Sequence, residues 1–102
     1  MKRFEVGGLV IKAMRIGVSD PPEFEVVVGE GASRSRHIVT MSQDLGERLA
    51  PGNTAEQCLE AAFRFLLDRE PKESILRRFD VTVISRYFPE FERELPRYLS
   101  KS

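Results

Sequence analysis

Residues 54–69, TAEQCLEAAFRFLLDR, decide the fold because they predict one long helix with very little polar surface. Thr54 is placed to cap the helix, Gln57 three residues later completes a capping box, and Pro71 stops the helix after about residue 69. The apolar side chains cover an arc of roughly 240°, far wider than the stripe of a surface helix. We therefore expect the helix to lie between a sheet and a second layer, formed by the C-terminal helices or by another subunit.

Toward the N-terminus of this helix the sequence is typical of strands, and the change falls near Gln43. The clearest strand covers residues 23–28, where apolar and acidic side chains alternate. Residues 36–41 are predicted to form its partner strand, and residues 29–35 the loop between the two. Since strands precede helices, we predict an α+β fold: an antiparallel meander of three to four strands, followed by three to four helices packed on one face.

The segment before this hairpin predicts a further strand pair. Gly7 and Gly8 separate residues 3–6 from residues 9–12, a spacing typical of a two-residue hairpin turn. Residues 9–18 are also compatible with a short helix, but their valines and isoleucines favour a strand.

Shorter helices are predicted after the long one. Residues 73–79 favour a short helix, and residues 80–88 favour another with Asp80 as its N-cap, although this segment also alternates as a strand does. Residues 91–99 continue a helical stripe that Pro96 interrupts. These segments are the candidates for the second layer over the long helix.

Length and composition predict one domain, residues 1–102, with a β-rich half at 1–42 and a helical half at 54–99. The single cysteine excludes an internal disulfide and indicates a reducing compartment. No apolar run reaches the length of a membrane span, and the residues after Met1 lack the pattern of a secretion signal. We therefore expect a cytoplasmic protein with no membrane partner.

Sixteen basic and sixteen acidic residues interleave along the chain, which gives a formal net charge of zero. This balance lacks the single-sign field that is typical of nucleic-acid and membrane binders. Twelve of the basic residues are arginines, whose guanidinium groups suit local recognition of carboxylates and other anions. A mixed, solvated surface explains the same charges more simply.

Residue types that carry chemistry are scarce. One histidine and one cysteine cannot build a clustered zinc site, and no calcium-binding loop or cofactor motif is present, so we predict no metal and no cofactor. Cys58 and His37 form the only thiol–imidazole pair, and the position of Cys58 on the apolar face of the long helix favours a structural role. No catalytic residue is predicted.

One polar segment combines serines and cations at a predicted hairpin end. Arg34, Ser35, Arg36 and His37 follow two glycines, so backbone N–H groups, hydroxyls and positive charges lie close together in the chain. Such a loop can hold a phosphate or a carboxylate, and these residues are the candidate anion-binding site. A flexible polar loop tip, with His37 at the edge of the core, is the simpler interpretation.

The last quarter of the chain is rich in aromatic residues and arginines. Such aromatics usually belong to the core. Aromatics rimmed by arginines are also typical of protein interfaces. The candidate interface residues are Arg86, Tyr87, Phe88 and Phe91.

Residues 24–28, the hairpin to Met41 and the segment GNTAEQCLEAA at residues 52–62 resemble the HicB-type antitoxin domain. That family runs strand-strand-strand-helix and enters its helix through a similar glycine-polar-threonine-x-glutamate step. The likeness covers under half of the chain, and residues 44–51 replace the family's third strand and its proline-glycine-cysteine turn. The resemblance implies a toxin-binding or nucleic-acid-associated regulator.

The leading hypothesis from the sequence is a small intracellular protein-interaction or adaptor domain. Its partner is another protein or a second copy of the chain, and a homo-oligomer is the simplest form, because the long helix needs cover. The alternative is a nucleic-acid-associated or toxin-binding regulator that uses Arg34, Arg36 and His37, although a net charge of zero disfavours nucleic acid. A small enzyme without a recognisable motif is the third hypothesis.

Overall fold

The structure, a computed structural model, describes residues 8–99 and builds one mixed sheet followed by helices, which confirms the α+β class. The strands are β1 (Leu9–Ile16), β2 (Glu23–Glu30), β3 (Ser33–Thr40) and β4 (Arg78–Asp80). The α-helices are α1 (Gln43–Leu49), α2 (Ala55–Leu67), α3 (Thr82–Tyr87) and α4 (Phe91–Glu94), with 3-10 turns at Lys72–Ser74 and Leu95–Tyr98. None of these helices has the length and apolarity to cross a membrane.

The first three strands form the predicted antiparallel meander. Ile11 of β1 pairs with Val28 of β2, and Val26 of β2 pairs with His37 of β3. The segment at residues 9–16 is thus a strand, as its β-branched side chains predict. Successive side chains of a strand point to opposite faces of the sheet. Val26 and Val28 therefore share the face that the helices cover, and both are completely buried there. The other predicted strand, at residues 3–6, and the interpretation of the chain's first residues lie outside the described range.

The fourth strand corrects the prediction of a purely antiparallel sheet. β4 runs parallel to β3 at the edge of the sheet, with Ile38 opposite Arg78. The helix predicted at residues 73–79 is only one 3-10 turn, and Phe79 lies in β4, where its ring centroid is 6.1 Å from that of Phe63. A three-residue strand is too short for alternation to reveal it in the sequence.

The turn between β2 and β3 is much shorter than the predicted loop at residues 29–35. Pairing continues as far as Glu30 and Ser33, so only Gly31 and the following residue form the turn. Gly31 has a φ of 61°, a conformation that two-residue hairpin turns require and that glycine adopts without steric cost. As a result, Arg34 belongs to a strand.

The long helix begins and is covered as predicted. The Thr54 hydroxyl accepts a hydrogen bond from the Gln57 N–H at 3.0 Å, and the Gln57 side chain accepts one from the Thr54 N–H at 2.8 Å. On one side of α2, Phe63 packs against residues of the sheet; on the other, the ring of Phe65 lies 5.1 Å from that of Phe91. The second layer comes from the same chain, so the apolar arc of α2 no longer requires a second subunit, and the oligomeric state stays a prediction.

One helix is absent from the sequence-based prediction. The α1 helix is capped by Ser42, whose Oγ accepts a hydrogen bond from the Leu45 N–H at 3.1 Å. Gly46 in its middle weakens the helical pattern, since glycine is a poor helix former. This helix packs against α2.

The C-terminal layer follows the prediction with one change. The helix expected at residues 80–88 is α3, but Asp80 ends β4 instead of occupying the N-cap. Its carboxylate still accepts a hydrogen bond from the Thr82 N–H at 3.0 Å. The helix α4 ends before a 3-10 turn that begins at Leu95, next to Pro96, where the sequence predicts an interruption of the helix. Phe91 and Leu95 are both buried.

Candidate functional site

The candidate anion-binding residues lie in β3, where strand geometry divides them between two faces. Ser35 and His37 point toward the helices, whereas Arg34 and Arg36 point to the uncovered face of the sheet. His37 is 1% exposed, and both arginines are exposed. The segment is a strand edge and not a loop tip.

A cleft of about 440 Å³ nevertheless brings these side chains together. It lies along the outer edge of β3, ahead of the residues that pair with β4. Its other wall is the chain segment that leads from α2 into β4. We call this cavity the basic cleft. Its polar lining consists of Arg34, Ser35, Arg36 and His37 of β3 and of Lys72, Glu73 and Arg77, and its apolar lining of Val27 and Ile75.

Lys72 is the buried cation of the basic cleft. Its side chain is 4% exposed, and its Nζ lies 2.7 Å from Glu73 Oε2 and 3.8 Å from Glu30 Oε1. The hydrogen bond from Lys72 lowers the pKa of Glu73, so this carboxylate is ionised at neutral pH. On the open face, Arg36 Nε lies 2.8 Å from Glu25 Oε2.

The lining of the basic cleft carries more positive than negative charge. Its cations come from four side chains, Arg34, Arg36, Lys72 and Arg77, and its one carboxylate is Glu73. The lining alone has a formal surplus of three positive charges in a concave site. Because Arg36 and Lys72 also pair with Glu25 and Glu30, which lie outside the lining, counting these two carboxylates leaves a surplus of one. Such a site attracts anions more strongly than the same charges spread over a flat surface.

His37 is a neutral, hydrogen-bonded core residue at the base of the cleft. Its Nδ1 lies 2.8 Å from the Leu76 carbonyl oxygen, so Nδ1 carries the proton, and Nε2 accepts a hydrogen bond from the Ser35 hydroxyl at 2.8 Å. Burial lowers the pKa of His37; the hydrogen bond to Leu76 opposes this shift, and the charge of Arg77 adds to it. His37 thus positions the wall of the cleft and contributes no positive charge at neutral pH.

The lowered pKa of His37 predicts a specific pH dependence of stability. Below the ordinary histidine pKa of about 6.5, the unfolded chain binds a proton that the folded chain resists. The free energy of unfolding should therefore fall as the pH drops from about 7, and this contribution should level off below the folded-state pKa. NMR titration of the imidazole resonances measures the folded pKa directly, because His37 is the only histidine. A titration midpoint at or above the ordinary value contradicts the assignment.

A second cavity, of about 250 Å³, shares Ile75 with the basic cleft. It is bounded by the end of α2, the segment before β4, and α3. We call it the apolar groove; its lining includes Leu66, Ile75, Leu76, Phe79, Tyr87 and Phe88. Leu76 and Tyr87 remain 48% and 68% exposed on its rim.

The candidate interface residues separate into core and surface. Tyr87 and Phe88 line the apolar groove. Phe91 is 1% exposed and packs against Phe65, so it belongs to the core. Arg86 is exposed beside the groove residues in α3. Of these four residues only Phe91 belongs to the core; Phe88 is partly exposed, and Arg86 and Tyr87 are exposed.

Cys58 is a structural thiol. It is 1% exposed, and its Sγ lies 3.9 Å from the Met41 sulfur. Burial raises the pKa of Cys58 to about 11, so the thiol stays protonated and unreactive at neutral pH. Within residues 8–99, no group of three or more histidine, cysteine, aspartate or glutamate side chains is arranged to hold a metal ion.

The cleft residues on the far wall are not recognisable from the sequence. Lys72, Glu73 and Arg77 lie far from β3 in the chain, and no local pattern marks them as partners of the β3 arginines. They reach the cleft because β4 pairs with β3 immediately after them. Only a correct prediction of that parallel pairing identifies them.

Comparisons with protein-family models, with curated proteins and with solved structures find no match for this chain. Residues 43–49, in the region that replaces the third strand of HicB-type domains, form the helix α1. The resemblance to that family therefore stops at the hairpin and the capped helix.

Proposed function

We propose that this domain is a protein-interaction module that binds acidic segments of a partner polypeptide in the basic cleft. The observation that carries the proposal is the convergence of Arg34, Arg36, Lys72 and Arg77 on one concave site from two separate chain segments. Guanidinium groups bind carboxylates through paired hydrogen bonds.

The charge distribution favours a polypeptide over a nucleic acid as the ligand. The whole chain has a formal net charge of zero, and its basic and acidic residues interleave along the sequence. Nucleic-acid binding usually needs an extended basic surface that neutralises several successive phosphates. A short run of carboxylates matches the size of the cleft.

The nearby apolar groove supports the same class of function. It places Leu76 and Tyr87 on the surface close to the cationic wall. Protein interfaces commonly combine exposed aromatic side chains with arginines. A polypeptide partner can therefore contact both regions.

The proposal is tested by titrating the protein with fluorescein-labelled hexaglutamate at low salt and measuring fluorescence anisotropy. The double variant Arg34→Glu, Arg77→Glu reverses two charges of the cleft and should weaken the affinity about tenfold or more. The matched control, Arg93→Glu with Arg97→Glu, makes the same change in net charge on α4 and the 3-10 turn after it, where both side chains are exposed. The control should change the affinity by less than about twofold.

Three results contradict the proposal. The first is no saturable binding of hexaglutamate at low salt. The second is equal weakening in the two double variants, which indicates a general charge effect. The third is tighter binding of a single-stranded hexanucleotide than of hexaglutamate, which supports the nucleic-acid-associated regulator instead.

A further inference from the structure

The outer edge of β3 is only partly covered. β4 pairs with Ile38, Val39 and Thr40, but β3 begins five residues earlier, at Ser33. The uncovered part of this edge coincides with the β3 wall of the basic cleft. The sheet thus has room for a further short strand in line with β4.

The backbone groups of Arg34 and Arg36 face this open edge. The Ile38 N–H donates to the Arg77 carbonyl at 2.8 Å, and the Thr40 carbonyl accepts from the Val81 N–H at 2.9 Å, so even-numbered residues of β3 point their backbone groups outward. By the alternation of a strand, Arg34 and Arg36 do the same. Within residues 8–99, no backbone hydrogen bond satisfies these outward groups of the two arginines.

We infer that the acidic ligand binds as an extra β-strand along this edge, hydrogen-bonded to the backbone of Arg34 and Arg36. The inference rests on the proposed function and specifies the form of the ligand. A strand here presents alternate side chains to the open face, where Arg34 and Arg36 lie. The remaining side chains point to the helix-covered face, where Lys72 reaches Glu30. Because Lys72 is already paired with Glu30 and Glu73, the arginines of the open face supply the charges that recognise acidic side chains at alternate positions of the added strand.

The same arginines disfavour a second copy of this chain as the occupant. Antiparallel pairing of two β3 edges across a two-fold axis places Arg34 and Arg36 of one copy beside those of the other. Like charges opposite each other destabilise strand pairing. The edge therefore suits a different, acidic chain.

Three hexaglutamate peptides of equal charge test the inference: one unmodified, one N-methylated at residues 1, 3 and 5, and one N-methylated at residues 2, 3 and 4. An added strand uses the backbone of every second residue. The peptide methylated at residues 1, 3 and 5 keeps the N–H groups of its even-numbered residues, so one of its edges can still pair, and it should bind within about twofold of the unmodified peptide. The peptide methylated at residues 2, 3 and 4 has lost N–H groups on both edges and should bind about tenfold or more weakly. Both modified peptides carry the same number of methyl groups, so general effects of methylation cancel.

Amide hydrogen exchange supplies a readout on the protein. Saturation with unmodified hexaglutamate should slow exchange at Arg34 and Arg36 about tenfold or more, while the amides of Ser35 and His37, which face β2, change little. Equal affinity of all three peptides, or equal loss with both methylated peptides, overturns the strand model while binding of hexaglutamate itself still supports the proposed function. Concentration-dependent protection of Arg34 and Arg36 without peptide also overturns it, because a second copy is then the occupant.

Discussion

Replacing Phe65 with alanine should lower the free energy of unfolding by about 3–5 kcal/mol. The ring is fully buried, and its centroid lies 5.1 Å from that of Phe91 and 5.8 Å from that of Tyr98. The guanidinium of Arg69 lies 3.7 Å from the ring centroid. The substitution removes apolar burial and leaves a cavity between α2 and the C-terminal helices. Urea titration followed by circular dichroism measures the loss.

The matched control is the next residue toward the N-terminus. Arg64 lies on the exposed strip of the same helix turn, so Arg64→Ala should change the free energy of unfolding by no more than about 0.5 kcal/mol. Similar losses for Phe65→Ala and Arg64→Ala contradict the placement of the C-terminal helices on α2.

Phe63→Ala should cost a similar amount, about 3–5 kcal/mol, from the opposite side of the helix. Phe63 is fully buried, with its ring centroid 5.2 Å from that of His37 and 6.1 Å from that of Phe79. Its removal also admits water next to the imidazole. Because burial is the main cause of the lowered pKa of His37, the substitution should raise that pKa toward its ordinary value.

The two phenylalanines separate the two sides of the helix. NMR titration of His37 should detect the pKa change in Phe63→Ala but not in Phe65→Ala, although both variants lose comparable stability. A pKa of His37 that moves equally in both variants indicates general loosening of the core and contradicts the separate packing of the two faces.

Local patterns in the sequence predict the central part of the fold. The capping box of Thr54 and Gln57 locates the start of α2, and the breadth of its apolar arc correctly indicates cover on two sides. The alternation in β2 identifies a half-buried strand and its face. These signals are strong because each depends on residues within one or two turns of a helix or one strand.

The parts that the sequence does not reveal depend on distant contacts. β4 is three residues long and is stabilised by pairing with β3, so its own residues carry no clear strand pattern. The arginine segment is recognisable as a candidate site, but its position in a strand follows from the tight turn at Gly31. The assembled cleft depends on both features, and this explains why Lys72 and Arg77 escape prediction.

The parallel pairing of β4 also has a kinetic consequence. It joins residues such as Thr40 and Asp80, 40 positions apart, whereas the meander closes through short connections. Pairing between distant residues forms more slowly than pairing across a short turn, because more loop-closure entropy is lost first. A short edge strand also opens more readily in local fluctuations than a central strand. Both walls of the basic cleft are held together by the docking of β4 on β3, so we expect the cleft to be lost when β4 detaches from an otherwise intact meander. The apparent affinity for a ligand is the intrinsic affinity multiplied by the fraction of molecules in which β4 is docked. Substitutions that loosen β4 should therefore weaken binding even at residues that do not contact the ligand.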